Sequence, residues 1–157
     1  MKCRNMIKRL LITIILLGAT VQGLVAQNQI TIASFNLRVF GVSKAEKPAV
    51  LSEIASIIRR FDLVAIQEIR DSSGTAAEKL LGVVNAEGGK YSMLVGPRLG
   101  RTTSKEQYAY FYRIASIEPV GLPATWQDVD DVFEREPFLA MFKVINAVFK
   151  AADLFAS

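Results

Sequence analysis

The stretch of this sequence with the clearest chemical potential is an apolar run that ends in a carboxylate and a guanidinium. Leu63 to Ile66 are consecutively apolar, which is typical of a strand buried on both faces. Glu68 and Arg70 follow, and in an extended chain they project from the same side. Because ligands of open α/β folds gather at the carboxyl ends of strands, this pair suits a metal ion and a phosphate. A simple ion pair at the strand end is the alternative interpretation.

The elements around this stretch form a predicted βαβ unit. The pattern indicates, in order, a buried strand over residues 30–35, a loop over 40–47, and an amphipathic helix with Pro48 in its first turn. The strand that carries Glu68 follows directly, so the two strands are expected to be neighbours. Asn36 and Glu68 would then end adjacent strands at the same edge of the sheet.

The rest of the chain is predicted to contain one more helix and several short strands. The helix runs from Thr75 to Val84, with Ser72 or Ser73 as its N-cap. Strands are predicted over residues 91–95, 106–113, 115–120 and 138–144, with a long acidic loop over 122–136. Tyr108, Tyr110 and Tyr112 alternate with smaller or apolar residues and share one face of their strand. This pattern favours a half-buried sheet face over a ladder of aromatics that stacks on bases.

Residues 1–26 have the three parts of a secretory signal peptide. A basic start precedes an apolar run from Leu10 to Leu17, and a less apolar stretch ends at Ala26. Polar residues and glycines interrupt the run before about 20 apolar residues accumulate, so cleavage after Ala26 is favoured over a membrane anchor. We therefore expect a secreted or periplasmic protein without stable membrane association.

The charge of the chain is concentrated in the same segment. The formal net charge is +4, from 19 basic and 15 acidic residues, and four of the basic residues lie within residues 1–9. The mature chain would carry 15 charges of each sign, so any affinity for nucleic acid must come from a local patch. The single cysteine, Cys3, also lies in this segment, which leaves the mature chain without a disulfide.

Four motifs occur in order along the chain. They are Thr31-Ile-Ala-Ser-Phe-Asn36-Leu-Arg38-Val-Phe-Gly41, then Phe61-Asp62 through Gln67-Glu68-Ile69-Arg70-Asp71-Ser72, then Gly100-Arg101 through Lys105-Glu106, and finally Phe133-Glu134-Arg135-Glu136-Pro137. Together they closely resemble the deoxyribonuclease I branch of the endonuclease/exonuclease/phosphatase superfamily. The resemblance runs from about Gln29 to Val144.

The resemblance implies a fold and an activity. The fold would be half of a four-layer α/β sandwich of the deoxyribonuclease I type, a mixed sheet with flanking helices. Residues 27–144 would be the N-terminal part of the family domain, and residues 145–157 a helical tail that does not look like the family. The activity would be hydrolysis of DNA phosphodiester bonds by a divalent-metal-dependent endonuclease.

The resemblance also implies three catalytic residues. Glu68 matches the carboxylate that holds Mg²⁺, an ion that typically takes one or two carboxylates and keeps several waters. Asn36 matches the amide that helps to position the metal or the scissile phosphate. Glu106 matches a carboxylate that orients a catalytic histidine.

Further matches concern DNA contact. Arg38, Arg70 and Arg135 match guanidiniums that contact phosphates or reach into the minor groove, with solvated salt bridges as the alternative. Ser104 stands where the family has a groove-contacting tyrosine, which makes the usual stacking contact doubtful.

The acidic loop matches a structural Ca²⁺ site of the animal enzymes. Asp131, the carbonyl of Phe133 and Glu136 would be its ligands, with Asp128 as a further one, and all are hard oxygen donors. A solvated charged surface is the alternative.

One departure from the family bears on activity. The chain contains no histidine, whereas the family's mechanism uses two, and general acid–base help is worth on the order of 10²–10⁴ in rate. We therefore expect a truncated chain that is weak or inactive alone. The inner face of its sheet would be exposed, which predicts self-association.

Two alternatives remain open from the sequence. One is a non-catalytic fragment that binds DNA or metal. The other is a phosphodiesterase of the same superfamily that acts on another phosphoester, against which Arg70 and the Arg-Glu-Pro motif argue.

Overall fold

The computed structural model describes residues 29–145. The predicted signal peptide over residues 1–26 and all but the first residue of the predicted tail over 145–157 lie outside this range. The strands are β1 (Ile32–Phe40), β2 (Leu63–Ile69), β3 (Tyr91–Val95), β4 (Gln107–Arg113), β5 (Ile117–Thr125) and β6 (Phe138–Val144). The helices are α1 (Val42–Ala45), α2 (Pro48–Ile58) and α3 (Thr75–Ala86).

The main sheet is mixed and has four strands in the order β1-β2-β4-β3. β1 and β2 are parallel, and their register pairs Ile32 with Leu63 and Asn36 with Gln67. β4 runs antiparallel to both β2 and β3. The α/β class and the mixed sheet with flanking helices are confirmed, as is the predicted pairing of the first two strands.

The helices α2 and α3 cover one face of this sheet and form the core with it. Apolar residues at helical spacing bury Leu51 and Ile58 on α2, and Leu80 and Val84 on α3. The sheet contributes the alternate residues of its strands to the same cluster, including Val64, Ile66, Ala109 and Phe111. The core therefore holds β2, the strand that delivers Glu68, from one side.

The opposite face of the sheet is covered only in part. The hairpin of β5 and β6 packs Phe138 and Phe142 on Tyr110, with ring centroids 5.6 and 5.5 Å apart. Tyr108 and Tyr110 are half-buried as predicted, whereas Tyr112 is buried. The prediction that β2 is buried on both faces is wrong. The aromatic contacts lie on β4, and Leu63 and Ala65 of β2 are left partly exposed.

Three predicted boundaries differ from the structure. β1 continues past Asn36 to Phe40, which pairs with Ile69 after an irregularity in the ladder. The predicted loop over residues 40–47 contains the short helix α1. β5 extends to Thr125, inside the predicted acidic loop, because a register shift near Gly121 (φ +71°) lets the strand go on pairing with β6.

The N-terminus of α3 is capped differently from the prediction. Gly74 occupies the N-cap position and makes no side-chain cap, and the carboxylate of Asp71 accepts the N–H of Ala76 at 2.8 Å. Asp71 also accepts the N–H and the hydroxyl of Ser73, at 2.9 and 2.7 Å. The assignment of Ser72 or Ser73 as the cap is therefore wrong, since Asp71 reaches farther along the chain and satisfies more donors.

Among residues 29–145, no helix is long and apolar enough to cross a membrane.

Candidate active site

Glu68 leaves the sheet through a break in the alternation of β2. Val64 and Ile66 face the core, and in a regular strand Glu68 would follow them onto that buried face. Glu68 instead has φ +61°, the ladder with β4 shifts between Ile66 and Ile69, and Ile69 takes the buried position. The bulge thus turns the carboxylate away from the core, so the simple parity that predicted a shared side for Glu68 and Arg70 does not apply.

A second irregularity lies beside it at the end of β1. Arg38 and Val39 have φ values of +48° and +61°, a left-handed conformation that non-glycine residues rarely adopt. The ammonium of Lys44 on α1 donates to the carbonyl oxygens of Leu37 at 2.9 Å and Arg38 at 2.5 Å. The turn places the N–H of Val39 3.0 Å from Oε2 of Glu68.

Asn36 holds the other oxygen of the carboxylate. Its Nδ2 donates to Oε1 of Glu68 at 2.8 Å, and its own Oδ1 accepts the N–H of Arg38 at 2.7 Å. The sequence placed Asn36 and Glu68 at the same edge of the sheet, and the structure brings their side chains into direct contact. Both Glu68 oxygens are thereby fixed by donors from β1.

These contacts also set the ionisation of the site. The hydrogen bond from Asn36, and then that from the Val39 N–H, lower the pKa of Glu68 below its ordinary value, and the positive charges of Arg70 and Arg135 act in the same direction. Glu68 is therefore ionised at neutral pH. An anchored, ionised carboxylate beside an amide is a donor set that fits Mg²⁺.

Glu106 lies between two arginines from different parts of the chain. It is only 6% exposed and lies immediately before β4. Its Oε1 accepts Nε of Arg70 at 2.7 Å and also contacts Nη2 of the same guanidinium. Its Oε2 lies 3.2 Å from Nε of Arg135, which is not aligned as a hydrogen bond.

Arg135 is held by a second contact with the loop before β4. Its Nη2 donates to the carbonyl oxygen of Ser104 at 3.1 Å. A Cβ at Gly100 would lie 3.2 Å from that oxygen, and Gly100 has φ +135°, so glycine permits this close approach. Ser104 thus contributes its backbone to the site.

One open concavity joins most of the predicted residues. Asn36, Glu68, Glu106 and Arg135 line it, together with Gln67, Tyr108 and Glu134. Arg70 reaches it through Glu106, whereas Arg38 is exposed at the adjoining turn.

The predicted calcium ligands lie along one loop, and two of them, Asp128 and Asp131, make other contacts. Oδ1 of Asp131 accepts Nη2 of Arg101 at 2.8 Å, and the same guanidinium contacts the Asp131 carbonyl. Asp128 accepts the N–H of Phe133 at 2.6 Å. In the part of the chain that the structure describes, no group of three or more Asp, Glu, His or Cys side chains is arranged to hold a metal ion.

Sequence reasoning missed two groups that build the site, the Val39 N–H and the Lys44 ammonium. A backbone donor carries no residue signal, and valine is a residue type that argues against a left-handed turn. Lys44 could have been suspected only from its position in the loop after Asn36.

Comparisons with known proteins identify the family of this chain. The model of the Endonuclease/Exonuclease/phosphatase family matches residues 33–138. The chain is 39% identical to deoxyribonuclease-1-like 1 of Chlorocebus aethiops over 119 residues, which are 74% of the chain and 39% of that relative. It is 39% identical to deoxyribonuclease gamma of Rattus norvegicus over 130 residues, which are 79% of the chain and 41% of that relative.

A third similar protein is deoxyribonuclease-1 of Homo sapiens, 33% identical over 147 residues, which are 85% of the chain and 48% of that relative. The chain therefore spans less than half the length of these curated relatives. The matched range includes all four motifs except the first two residues of the first, and it contains the bulge at Glu68 and the left-handed turn after Asn36. The chain belongs to the Endonuclease/Exonuclease/phosphatase family, and the similar proteins named here are deoxyribonucleases.

Proposed function

We propose that this chain carries the metal-binding and phosphate-binding residues of a secreted or periplasmic, divalent-metal-dependent deoxyribonuclease. The observation that carries the proposal is the pair of Asn36 and Glu68, whose carboxylate is held on both oxygens at the edge of the sheet. Arg135 lines the same concavity as this pair, and the names of the similar proteins support DNA as the substrate.

Glu68 and Asn36 would hold Mg²⁺. The carboxylate is kept ionised by its hydrogen bonds, and its two oxygens retain lone pairs beyond the two contacts they accept. When bound, the ion would supply Lewis-acid stabilisation of the charge that develops on the phosphoryl oxygens. Asn36 fixes the orientation of the carboxylate without adding negative charge that would repel the substrate.

Arg38, Arg70 and Arg135 would contact the DNA backbone, with the Ser104 loop positioned beside Arg135. Guanidiniums bind phosphate oxygens through paired donors, and such contacts orient a duplex without reading its sequence. Asp128, Asp131, the Phe133 carbonyl and Glu136 are the proposed Ca²⁺ ligands, and binding there would require Arg101 to release Asp131.

A non-catalytic protein that binds DNA or metal is the second candidate. The observation in its favour is that the chain has no histidine, while both oxygens of Glu106 face arginines. A phosphodiesterase for another phosphoester has no specific contact in its favour.

The test is nicking of supercoiled plasmid by the purified mature chain with Mg²⁺, beside an EDTA blank. Glu68→Gln should lower the nicking rate by about 100-fold or more, because it removes the ligand charge while keeping the shape of the side chain. Glu118→Gln is the matched control, since Glu118 pairs with Lys143 on the β5–β6 hairpin. It should nick at the wild-type rate.

The other outcomes are equally informative. A folded wild-type chain that binds plasmid in a Mg²⁺-dependent way without nicking it would favour the non-catalytic candidate. Equal nicking by wild type and Glu68→Gln would overturn the assignment of Glu68.

N-terminal sequencing of the exported chain should find residue 27 first if the predicted cleavage after Ala26 occurs.

A further inference from the structure

Glu106 is a buried carboxylate, and its negative charge must be balanced by a neighbouring positive charge. A buried charge is tolerated only when it is paired, and the pair stabilises the fold little compared with apolar packing. Here the compensation comes from two guanidiniums instead of one, so the group of three carries a net positive charge. This is more basic charge than neutralising Glu106 requires.

The two arginines come from distant segments of the chain. Arg70 directly follows β2, and Arg135 lies in the loop before β6. Nε of Arg70 donates to Oε1 of Glu106 at 2.7 Å, and Nε of Arg135 lies 3.2 Å from Oε2. Each guanidinium has five N–H donors, and these contacts engage only part of them. Both side chains keep some exposure, 33% for Arg70 and 21% for Arg135.

We propose that Glu106 is a positioning residue that braces Arg70 and Arg135 as one clamp for a phosphate group. Without the carboxylate, two like charges in a partly buried site would repel each other and occupy many rotamers. With the carboxylate in place, both guanidiniums are already ordered before the phosphate binds, so binding costs less conformational entropy. The clamp borders the concavity that contains Glu68, so this inference rests on the proposed function and names the phosphodiester backbone as its ligand.

The effect of Glu106→Gln on DNA affinity distinguishes a positioning role for Glu106 from a general attraction between basic residues and DNA. Glu106→Gln makes the site more positive by one charge, so an unstructured basic patch would bind DNA more tightly. The clamp requires the opposite, because glutamine cannot hold both guanidiniums. We expect the Kd for a duplex oligonucleotide to rise by about tenfold, and the slope of log Kd against log salt to fall by about 1.

The measurement is fluorescence anisotropy of a labelled duplex at several salt concentrations, with wild type, Glu106→Gln and Glu118→Gln. Glu118→Gln makes the same charge change on the far hairpin and should bind as wild type or slightly more tightly. Glu106→Asp keeps the charge and should recover part of the affinity. Equal Kd values for Glu106→Gln and Glu118→Gln would overturn the clamp, as would a wild-type chain that binds no duplex.

A second set of variants decides the question if Glu106→Gln does not fold. Arg70→Lys and Arg135→Lys each keep the charge but lose the planar fork. If both arginines act through Glu106, the affinity losses of the single variants and the double variant should depart from additivity by at least about fivefold. Additivity within about twofold means independent arginines and no clamp.

The failure of the clamp and the failure of the nuclease assignment give different results. In one outcome, Mg²⁺-dependent nicking is lost in Glu68→Gln, while Glu106→Gln and Glu118→Gln bind the duplex equally well. This result would support the nuclease assignment and rule out the clamp. Weakened duplex binding in Glu106→Gln, with no nicking by the wild type, would support the clamp and count against nuclease activity of this chain by itself.

Discussion

Val39 has a left-handed backbone conformation that β-branched residues disfavour. This conformation lets its N–H donate to the carboxylate of Glu68. A left-handed backbone costs a non-glycine residue roughly 1–2 kcal/mol, and branching at Cβ adds to that cost. Arg38, Val39 and Glu68 all have positive φ, and they are linked by the hydrogen bonds around the carboxylate. Strain of this kind persists only where the surroundings hold it in place.

Lys44 is the side chain that holds this turn, so its removal should loosen the site. Lys44→Met keeps the apolar stem but loses the donors to the carbonyls of Leu37 and Arg38. We expect the free energy of unfolding to fall by about 1–2 kcal/mol and the Mg²⁺ affinity to fall severalfold. Chemical denaturation and titration calorimetry measure the two effects.

Lys47→Met is the control for this variant, since Lys47 is exposed at the N-cap of α2 and makes no side-chain cap. Equal stability and Mg²⁺ affinity in both variants would show that the ammonium of Lys44 does not support the turn.

Helix α3 depends on one carboxylate that precedes it. Asp71 is 1% exposed, and burial alone would raise its pKa. Hydrogen bonds from the Ser73 hydroxyl and from the backbone N–H groups of Ala76, Ser73 and Thr75 outweigh burial and lower the pKa to about 2. Because this value lies below that of an unfolded aspartate, ionised Asp71 stabilises the folded state.

Asp71→Asn should therefore destabilise the protein in a pH-dependent way. At pH 7 we expect the free energy of unfolding to fall by about 1–2 kcal/mol, because the anionic acceptor is lost. The wild type loses the same contribution as pH falls from about 4 through the folded pKa of about 2. Urea unfolding of both proteins between pH 7 and 3 should show their stabilities converging.

Glu53→Gln, an exposed change on α2, serves as the control and should shift stability little at any pH. A stability difference for Asp71→Asn that stayed constant between pH 7 and 3 would contradict the proposed role of the ionised cap.

The β5–β6 hairpin leaves apolar side chains in solvent at the level of the whole molecule. Leu122 is 94% exposed and Met141 68%, and they line an open groove with Val120, Ala124 and Leu139. The hairpin is a separate two-stranded sheet, which presents further unpaired backbone groups at its edges. An apolar groove beside open edges is suited to contact with a second copy of the chain.

We expect self-association through this groove. The double variant Leu122→Ser with Met141→Ser should raise the dimer dissociation constant by about tenfold or more, because it removes apolar area from the contact. Sedimentation equilibrium over a range of protein concentrations measures the constant. Val129→Ser, an exposed change in the acidic loop, is the control. A wild type that is monomeric at all concentrations would rule out the association.

The sequence by itself determined the family through its four motifs. It also determined the βαβ unit with its two neighbouring strands and the core faces of the two longer helices, since apolar residues repeat at the spacing that one helix face requires. The same local signals placed Asn36 and Glu68 at one edge of the sheet.

Only the tertiary structure decided how Glu68 leaves the sheet and how Glu106 is used. The bulge at Glu68 and the turn at Val39 contradict local preference, and contacts from Lys44 and Asn36 maintain them. Arg70 and Arg135 are 65 positions apart by their numbers in the chain, and only folding brings both onto Glu106. Contacts between segments that are distant in sequence leave no local period, which is why the sequence could name these residues but not their arrangement.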